Sequence, residues 1–388
     1  MTILERGRFG RGASHGNCGY VSPSHALPLT EPGAVGKALR AIVSRNSPFK
    51  IRPRLDWGLW SWLLKFAARC NERDMLAAGR ARVPLLLRSA ELFRELVREE
   101  RLECQWQDQG LLMIYNSQAG HEKFAHVDEL LAREFNLGAR RLDGPELTEF
   151  EPALLPGPAG AWWYEIDAHL RPDVLMRSFA ARLREMGVEI HEEAEVLELP
   201  RSEGGTAAAR TAKGDFPAEV FVLAGGALTP RLAAKLGVRL PIQPGKGYSI
   251  TMSRPAVCPK VPMIFMEQKV AVTPFEDGYR LGSTMEFAGY NDSVNPARLG
   301  LLRAAAEKFL RDPFGVETQE QWCGWRPMTC DDVPIIGRAP GSTNTWIASG
   351  HGMLGLSMGP GTGKLIAQLI TGAAPEIDPK PYEPARFA

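Results

Sequence analysis

WCGWRPMTCDDVPIIGR (residues 322–338), then a short Pro/Gly/Asn-rich loop, then TWIASGHGMLGLSMGPGTGKLIAQLITG (residues 345–372), is the stretch that decides the fold. It holds an arginine, Arg326, in a Gly-Trp-Arg-Pro turn, a hairpin-like segment, and an apolar strand over Thr345–Ser349. A glycine turn, Gly350-His351-Gly352, then opens a helix with glycines at 355, 359 and 363. A strand feeding such a turn aims backbone N–H groups and a positive dipole end at something electron-rich. Glycines four apart leave one helix face bare, so a flat partner can lie against it. An arginine just upstream can hold a carboxylate by two parallel hydrogen bonds; its other reading is a buried structural ion pair.

Gly324-Trp325-Arg326-Pro327-Met328-Thr329, Pro334-Ile335-Ile336-Gly337 and Gly350-His351-Gly352-Met353-Leu354-Gly355 resemble the C-terminal signature of FAD-dependent D-amino-acid dehydrogenases. These belong to the glycine/sarcosine/D-amino-acid oxidase superfamily, and the resemblance spans nearly the whole chain. It implies that Arg326 grips a substrate carboxylate, and that Gly350, Gly352, Met353, Leu354 and Gly355 face the flavin. It further implies an α/β plus α+β fold: a FAD-binding, Rossmann-like domain of the glutathione-reductase type, N-terminally truncated, with an antiparallel-sheet substrate domain. The expected division is 1–50, 157–238 and 322–388 for FAD, and 51–156 and 239–321 for the substrate or cap domain.

Size and composition set the outer limits. A chain of 388 residues has room for two domains. Its 44% hydrophobic and 23% charged residues are ordinary for a globular protein. A net charge of +1 gives no basic excess, which argues against a nucleic-acid partner. Six scattered cysteines without a CxxC pair supply neither zinc nor dithiol spacing, so a reducing, cytoplasmic setting is expected. No apolar run of about 18 residues is present.

At the start, residues 1–6 (MTILER) read as a short strand ending in an acid. In a dinucleotide fold such an acid meets the adenosine ribose, about 20 residues after a G-x-G-x-x-G loop. By that logic Glu5 and Arg6 are candidate cofactor contacts, yet no such loop precedes them. Gly10 to Gly16 has its third glycine one place late, Gly33 to Gly36 lacks the opening glycine, and Gly361-Thr362-Gly363-Lys364 resembles a phosphate loop but has Met358 where the first glycine belongs. Two readings follow: a start at an internal methionine of a longer gene, or a shortened paralogue acting as a cofactor-free scaffold. The segment Gly12 to Tyr20 (GASHGNCGY) resembles the family's Gly-Ala-Ser-x-x-Asn-x-Gly element, with Ser14, Asn17 and Gly19 at pyrophosphate and flavin; otherwise it is a Gly/Ser surface loop. His15 stands one place from the family's covalent histidine, so non-covalent FAD is expected.

Residues Pro53 to about Arg101 are helical in pattern, and Trp57, Trp60 and Trp62 either pack inward or rest on a membrane surface. Cys104 to Tyr115 suggests two strands around Gln109-Gly110, and His121 to Phe135 a charged helix. Further strands are expected at Gly187 to Ile190 and Ala194 to Glu198; by resemblance, the backbone of Val196 faces adenine. The run Glu219 to Leu223 ends in Ala224-Gly225-Gly226, a strand end where a cofactor can pass closely. From Leu240 to Gly282 alternating strands predict a sheet roofing the flavin. Within it Tyr248 either lines the pocket or is structural, and Glu286 either meets a substrate amine or sits on the surface.

The implied activity is oxidative deamination of a D-amino acid to the imine and 2-oxo acid, or else oxidation of glycine, sarcosine or D-hydroxyproline, with electrons passed to a quinone, a carrier or oxygen. Orientation and redox tuning serve such chemistry more than a side-chain base. His351 is expected either to stabilise anionic reduced flavin or to support its turn.

Overall fold

Two kinds of sheet organise the chain. The computed structural model describes residues 1–43, 47–52 and 54–387. In one part, Thr2–Leu4 runs parallel to Glu189–His191, and Phe221–Leu223 runs parallel to Thr345–Ser349. Ile335–Arg338 closes the far edge of Thr345–Ser349 in antiparallel register, Ile335 opposite Ser349. Leu4, Phe221, Leu223, Ile335 and Ile347 share one apolar core with Ala233 and Leu236. Short β-branched strands followed by helices, here Pro172–Glu185 and Gly355–Thr371, give this half its Rossmann-like character.

The other part is a nine-stranded mixed sheet. Its first three strands, Thr318–Thr329, Ile242–Met252 and Tyr279–Phe287, are antiparallel neighbours. Alternation along Ile242–Met252 sends Tyr248, Ile250 and Met252 into one core with Leu281 and Leu302. The opposite face of the same strand is built of small residues, Gly245, Gly247 and Ser249. Thr318–Thr329 crosses position 322, so the expected domain boundary falls inside a strand.

The expected helical region is two helices. Asp56 caps Trp57–Ala68 by accepting from Leu59 N at 3.1 Å, and Asn71 caps Glu72–Glu99 by accepting from Asp74 N at 2.9 Å. Pro53 lies outside the described residues. Leu59 and Trp62 are buried, whereas Trp57, Trp60 and Leu64 are exposed at one helical face's spacing. Among the described residues no helix is long and apolar enough to cross a membrane.

Two expected strands are absent. Only Leu111–Tyr115 forms from the 104–115 segment, because Gln105 adopts a left-handed φ of 53° that breaks the extended run. Residues 194–198 make only an isolated bridge, Glu198 to Arg210, after the left-handed turn at Glu193.

Candidate active site

Arg326 lies on the small-residue face of the sheet. It pairs across the ladder with Gly245, and the next pair on that face, Gly247 with Gly324, carries no side chains. A Cβ on Gly247 would stand 2.5 Å from Cζ of Arg326, and one on Gly324 would stand 2.2 Å from the Trp322 indole. The two glycines are therefore the floor on which the guanidinium and the indole lie side by side. Arg326 Nη1 donates to the carbonyl of Thr284 at 2.8 Å, and among the described residues no carboxylate pairs with it. Among the described residues Arg326 thus makes no structural ion pair. Burial holds its pKa below the usual arginine value, and the one group that opposes this is the Cys18 thiol. A part-buried cation without an acid is costly unless something else supplies the negative charge.

The helix tip stands beside this face. Met328, two residues on from Arg326, bridges to His351 in antiparallel fashion. Gly350 and Gly352 have φ of 79° and 57°, left-handed values that fold the turn tightly. The 17-residue helix that follows has no side-chain cap, so the positive end of its dipole is not covered by a side chain. Met353 is exposed and Leu354 buried, while Gly359 and Gly363 have nothing within 4 Å of a built Cβ and Gly355 only His351 Cβ at 3.6 Å. His351 Nε2 meets Thr362 Oγ1 at 2.9 Å, and burial lowers its pKa to about 4. This contact ties the ring back to its own helix.

The glycine-rich loop of residues 12–20 is clamped onto the same sheet face. Ser249 Oγ donates to Gly16 O at 2.7 Å, and Thr273 Oγ1 donates to Cys18 O at 2.7 Å. Arg280, fully buried, donates from Nη1 to Asn17 O at 2.7 Å and pairs through Nη2 with Asp173. Asn17 spends its side chain inside the loop, donating to Ser14 O at 3.0 Å and accepting from Gly19 N at 2.7 Å. It shapes the loop, and among the described residues no partner takes the half-buried Ser14 hydroxyl. The His15 ring contacts Glu320 at 2.9 Å.

The remaining candidates frame the opposite end. Glu5 follows the Thr2–Leu4 strand and takes the Gly7 N–H on Oε1 at 2.9 Å, while Arg6 lies over the Trp325 ring at 5.7 Å. Val196 packs against the Phe221/Leu223 core. Ala224 and Gly225 lead into the turn at Gly226, whose carbonyl accepts from Ser349 Oγ at 2.9 Å. That bond joins this turn to the strand that feeds the helix tip.

Tyr248 does not join this site. It neighbours Gly247 and so points to the other face of the sheet, where its hydroxyl donates to Glu286 Oε2 at 2.5 Å in the buried core. Glu286 is likewise no surface acid, being fully buried and paired with Arg52 Nε at 2.5 Å. Sequence reasoning also missed two supports. Arg280 fixes the glycine loop, and its only sequence signal is a charged residue on an otherwise apolar strand. Asp332 lies 2.7 Å from a Cβ built on Gly352 and accepts from Leu29 N and Arg82 Nη1, each at 2.9 Å, so a buried ion pair seats the tip. Its signal is an Asp-Asp pair beside the glycine turn.

The family model described as FAD dependent oxidoreductase (DAO) matches residues 1–369. A D-amino acid dehydrogenase of Paramagnetospirillum magneticum is 33% identical over 382 residues, covering 96% of this chain and 89% of that protein. One from Methylobacterium nodulans is 33% identical over 414 residues, covering 100% and 93%. Among solved structures, glycine oxidase from Geobacillus kaustophilus superposes with a TM-score of 0.80 at 22% identity, over 98% of this chain and 90% of that one.

Proposed function

We propose an activity for this chain, which belongs to the DAO family of FAD-dependent oxidoreductases: it oxidises the α-carbon–nitrogen bond of a D-amino acid to an imine, which water converts to a 2-oxo acid and ammonia. The observation that carries this reading is Arg326, a part-buried guanidinium held by one backbone carbonyl and, among the described residues, lacking any acid. A substrate carboxylate completes it, with Nη2 and Nε as the remaining donors.

The residues present fit FAD. An uncapped helix tip offers N–H groups to an electron-rich ring edge, and the bare face at Gly355, Gly359 and Gly363 admits a flat group. Gly350, Gly352, Met353 and Leu354 are assigned to the flavin ring. Ala224, Gly225, Ser14 and Gly19 are assigned to its neighbouring atoms, and Glu5, Arg6 and Val196 to the adenosine end. FAD, when bound, supplies a two-electron acceptor for the substrate's α-hydrogen. The chain's own contribution is orientation: Arg326 fixes one end of the substrate, and the glycine floor keeps the guanidinium in place. His351 holds the tip, and no side-chain base is needed once the amine is neutral.

Residues 1–50, 157–238 and the chain after the Thr318–Thr329 strand are assigned to the cofactor, and 51–156 with 239 to the end of that strand to the substrate. The electrons go on to a membrane quinone, and the exposed Trp57, Trp60 and Leu64 face rests on the bilayer surface to receive it. The test is anaerobic mixing of the FAD-saturated protein with paired D- and L-amino acids. Loss of flavin absorbance with D-enantiomers alone is expected; an unreduced flavin across the panel overturns the reading.

A further inference from the structure

The strand Tyr279–Phe287 keeps one-to-one register with Ile242–Met252 from Tyr279 opposite Met252 to Ser283 opposite Tyr248, and then loses it. Glu286, three residues on, stands opposite Lys246, two residues back. One extra residue is therefore housed between Ser283 and Glu286, which is a β-bulge. The backbone there is unusual: Ser283 has φ of 107° and Thr284 φ of 54°. Neither is glycine, and a β-branched residue tolerates the left-handed region poorly. Such strain persists where the surroundings impose it, and bulges serve to re-aim a residue.

The bulge lies beside Gly247, the residue over which the Arg326 guanidinium lies. It turns the Thr284 carbonyl so that it accepts from Arg326 Nη1 at 2.8 Å. The Thr284 side chain is buried, 2% exposed, and its Oγ1 has no hydrogen-bond partner. A strained backbone and an orphaned hydroxyl thus coincide at the residue that holds the unpaired arginine. Both are unfavourable to folding, and valine in the same space would remove the second at no loss of packing. Two tyrosines near this sheet are spent elsewhere: Tyr248 O–H on Glu286, and Tyr20 O–H on the carbonyls of Met263 and Val272.

We infer that Thr284 is a second substrate-binding residue, whose Oγ1–H donates to the carboxylate gripped by Arg326 while its carbonyl fixes the guanidinium. This rests on the carboxylate-binding reading of Arg326 above.

The experiment measures propionate binding by titration calorimetry to the FAD-saturated protein, beside KM and kcat for a D-amino acid. Thr284→Val is expected to weaken propionate about tenfold and to raise KM similarly, since hydrogen bonds to charged groups are the stronger class. Its melting temperature is expected to equal or exceed the wild type, because the orphaned hydroxyl is gone. Thr284→Ser is expected to restore binding to within about threefold, and Thr284→Ala carries the same test if the valine variant does not fold. Wild-type binding by Thr284→Val, with binding lost in Arg326→Ala, overturns this inference and leaves Arg326 in place. Unchanged binding in Arg326→Ala removes both. A loss in Thr284→Val that serine does not rescue assigns the effect to shape and also overturns it.

Discussion

Gly247→Ala is the most exacting perturbation of the site, because it adds one methyl group and no charge. That Cβ would stand 2.5 Å from Cζ and from Nη2 of Arg326, and 2.6 Å from Nη1. Carbon contacts are comfortable from about 3.5 Å, so roughly 1 Å of separation has to be found. The strand is held on both sides, by Thr318–Thr329 and Tyr279–Phe287, whereas the guanidinium is the free end of a flexible side chain. The guanidinium therefore moves and its bond to the Thr284 carbonyl is lost. Hydrogen bonds to charged groups contribute about 1.5–3 kcal/mol, and water replaces part of this, so a stability loss of about 1–2 kcal/mol is expected. The kinetic effect is larger: a misplacement of about 1 Å costs on the order of 10²-fold. Steady-state kinetics with a D-amino acid and an artificial electron acceptor should show KM raised and kcat lowered, with kcat/KM down about a hundredfold. A kcat/KM within about threefold of wild type would refute the placement of the guanidinium over Gly247 as the substrate-orienting geometry.

Three further outcomes are expected. Asp332→Ala strands the buried Arg82 cation and should cost about 3–5 kcal/mol in urea unfolding; a loss below about 1 kcal/mol would remove that pair as the seat of the helix tip. Burial holds His25, His169 and His351 at about 4 and lowers His121 as well, so the unfolded chain binds protons first, near its ordinary value of 6.5. Stability should thus fall from pH 6.5 towards 4. Asp167, raised to about 7 by burial, and Asp332, also raised by burial, oppose this with two carboxyls against four imidazoles; equal urea midpoints at pH 7.5 and 5 would contradict the balance. Trp57→Ala with Trp60→Ala should abolish co-sedimentation with vesicles of mixed zwitterionic and anionic lipid, leaving turnover with a soluble acceptor unchanged; binding retained by the double variant would rule out that face.

Much of this was legible in the sequence, and the parts that were not have physical causes. The Thr345–Ser349 strand and the glycine turn after it could be read because β-branched residues, left-handed glycines and a helix start are local signals. Arg326 stood out for the same reason, sitting in a Gly-Trp-Arg-Pro sequence. The face on which Tyr248 falls was not legible, since it depends on which glycine the Arg326 side chain crosses, a contact between separate strands. Glu286 reads as a surface acid until Arg52, 234 residues earlier, is brought against it. The bulge at Ser283 and Thr284 carries no glycine to announce it. Arg280 and the Arg82–Asp332 pair are buried charges whose partners lie far off in sequence, so periodicity marks them only as misplaced polar residues.

The central claim is that Arg326 recognises a carboxylate. The direct measurement is the ratio of kcat/KM for D-alanine to that for D-alaninamide, taken in the wild type and in Arg326→Ala. The ratio should exceed about a hundredfold in the wild type and collapse towards one in the variant. A ratio that is the same in both proteins would contradict the claim.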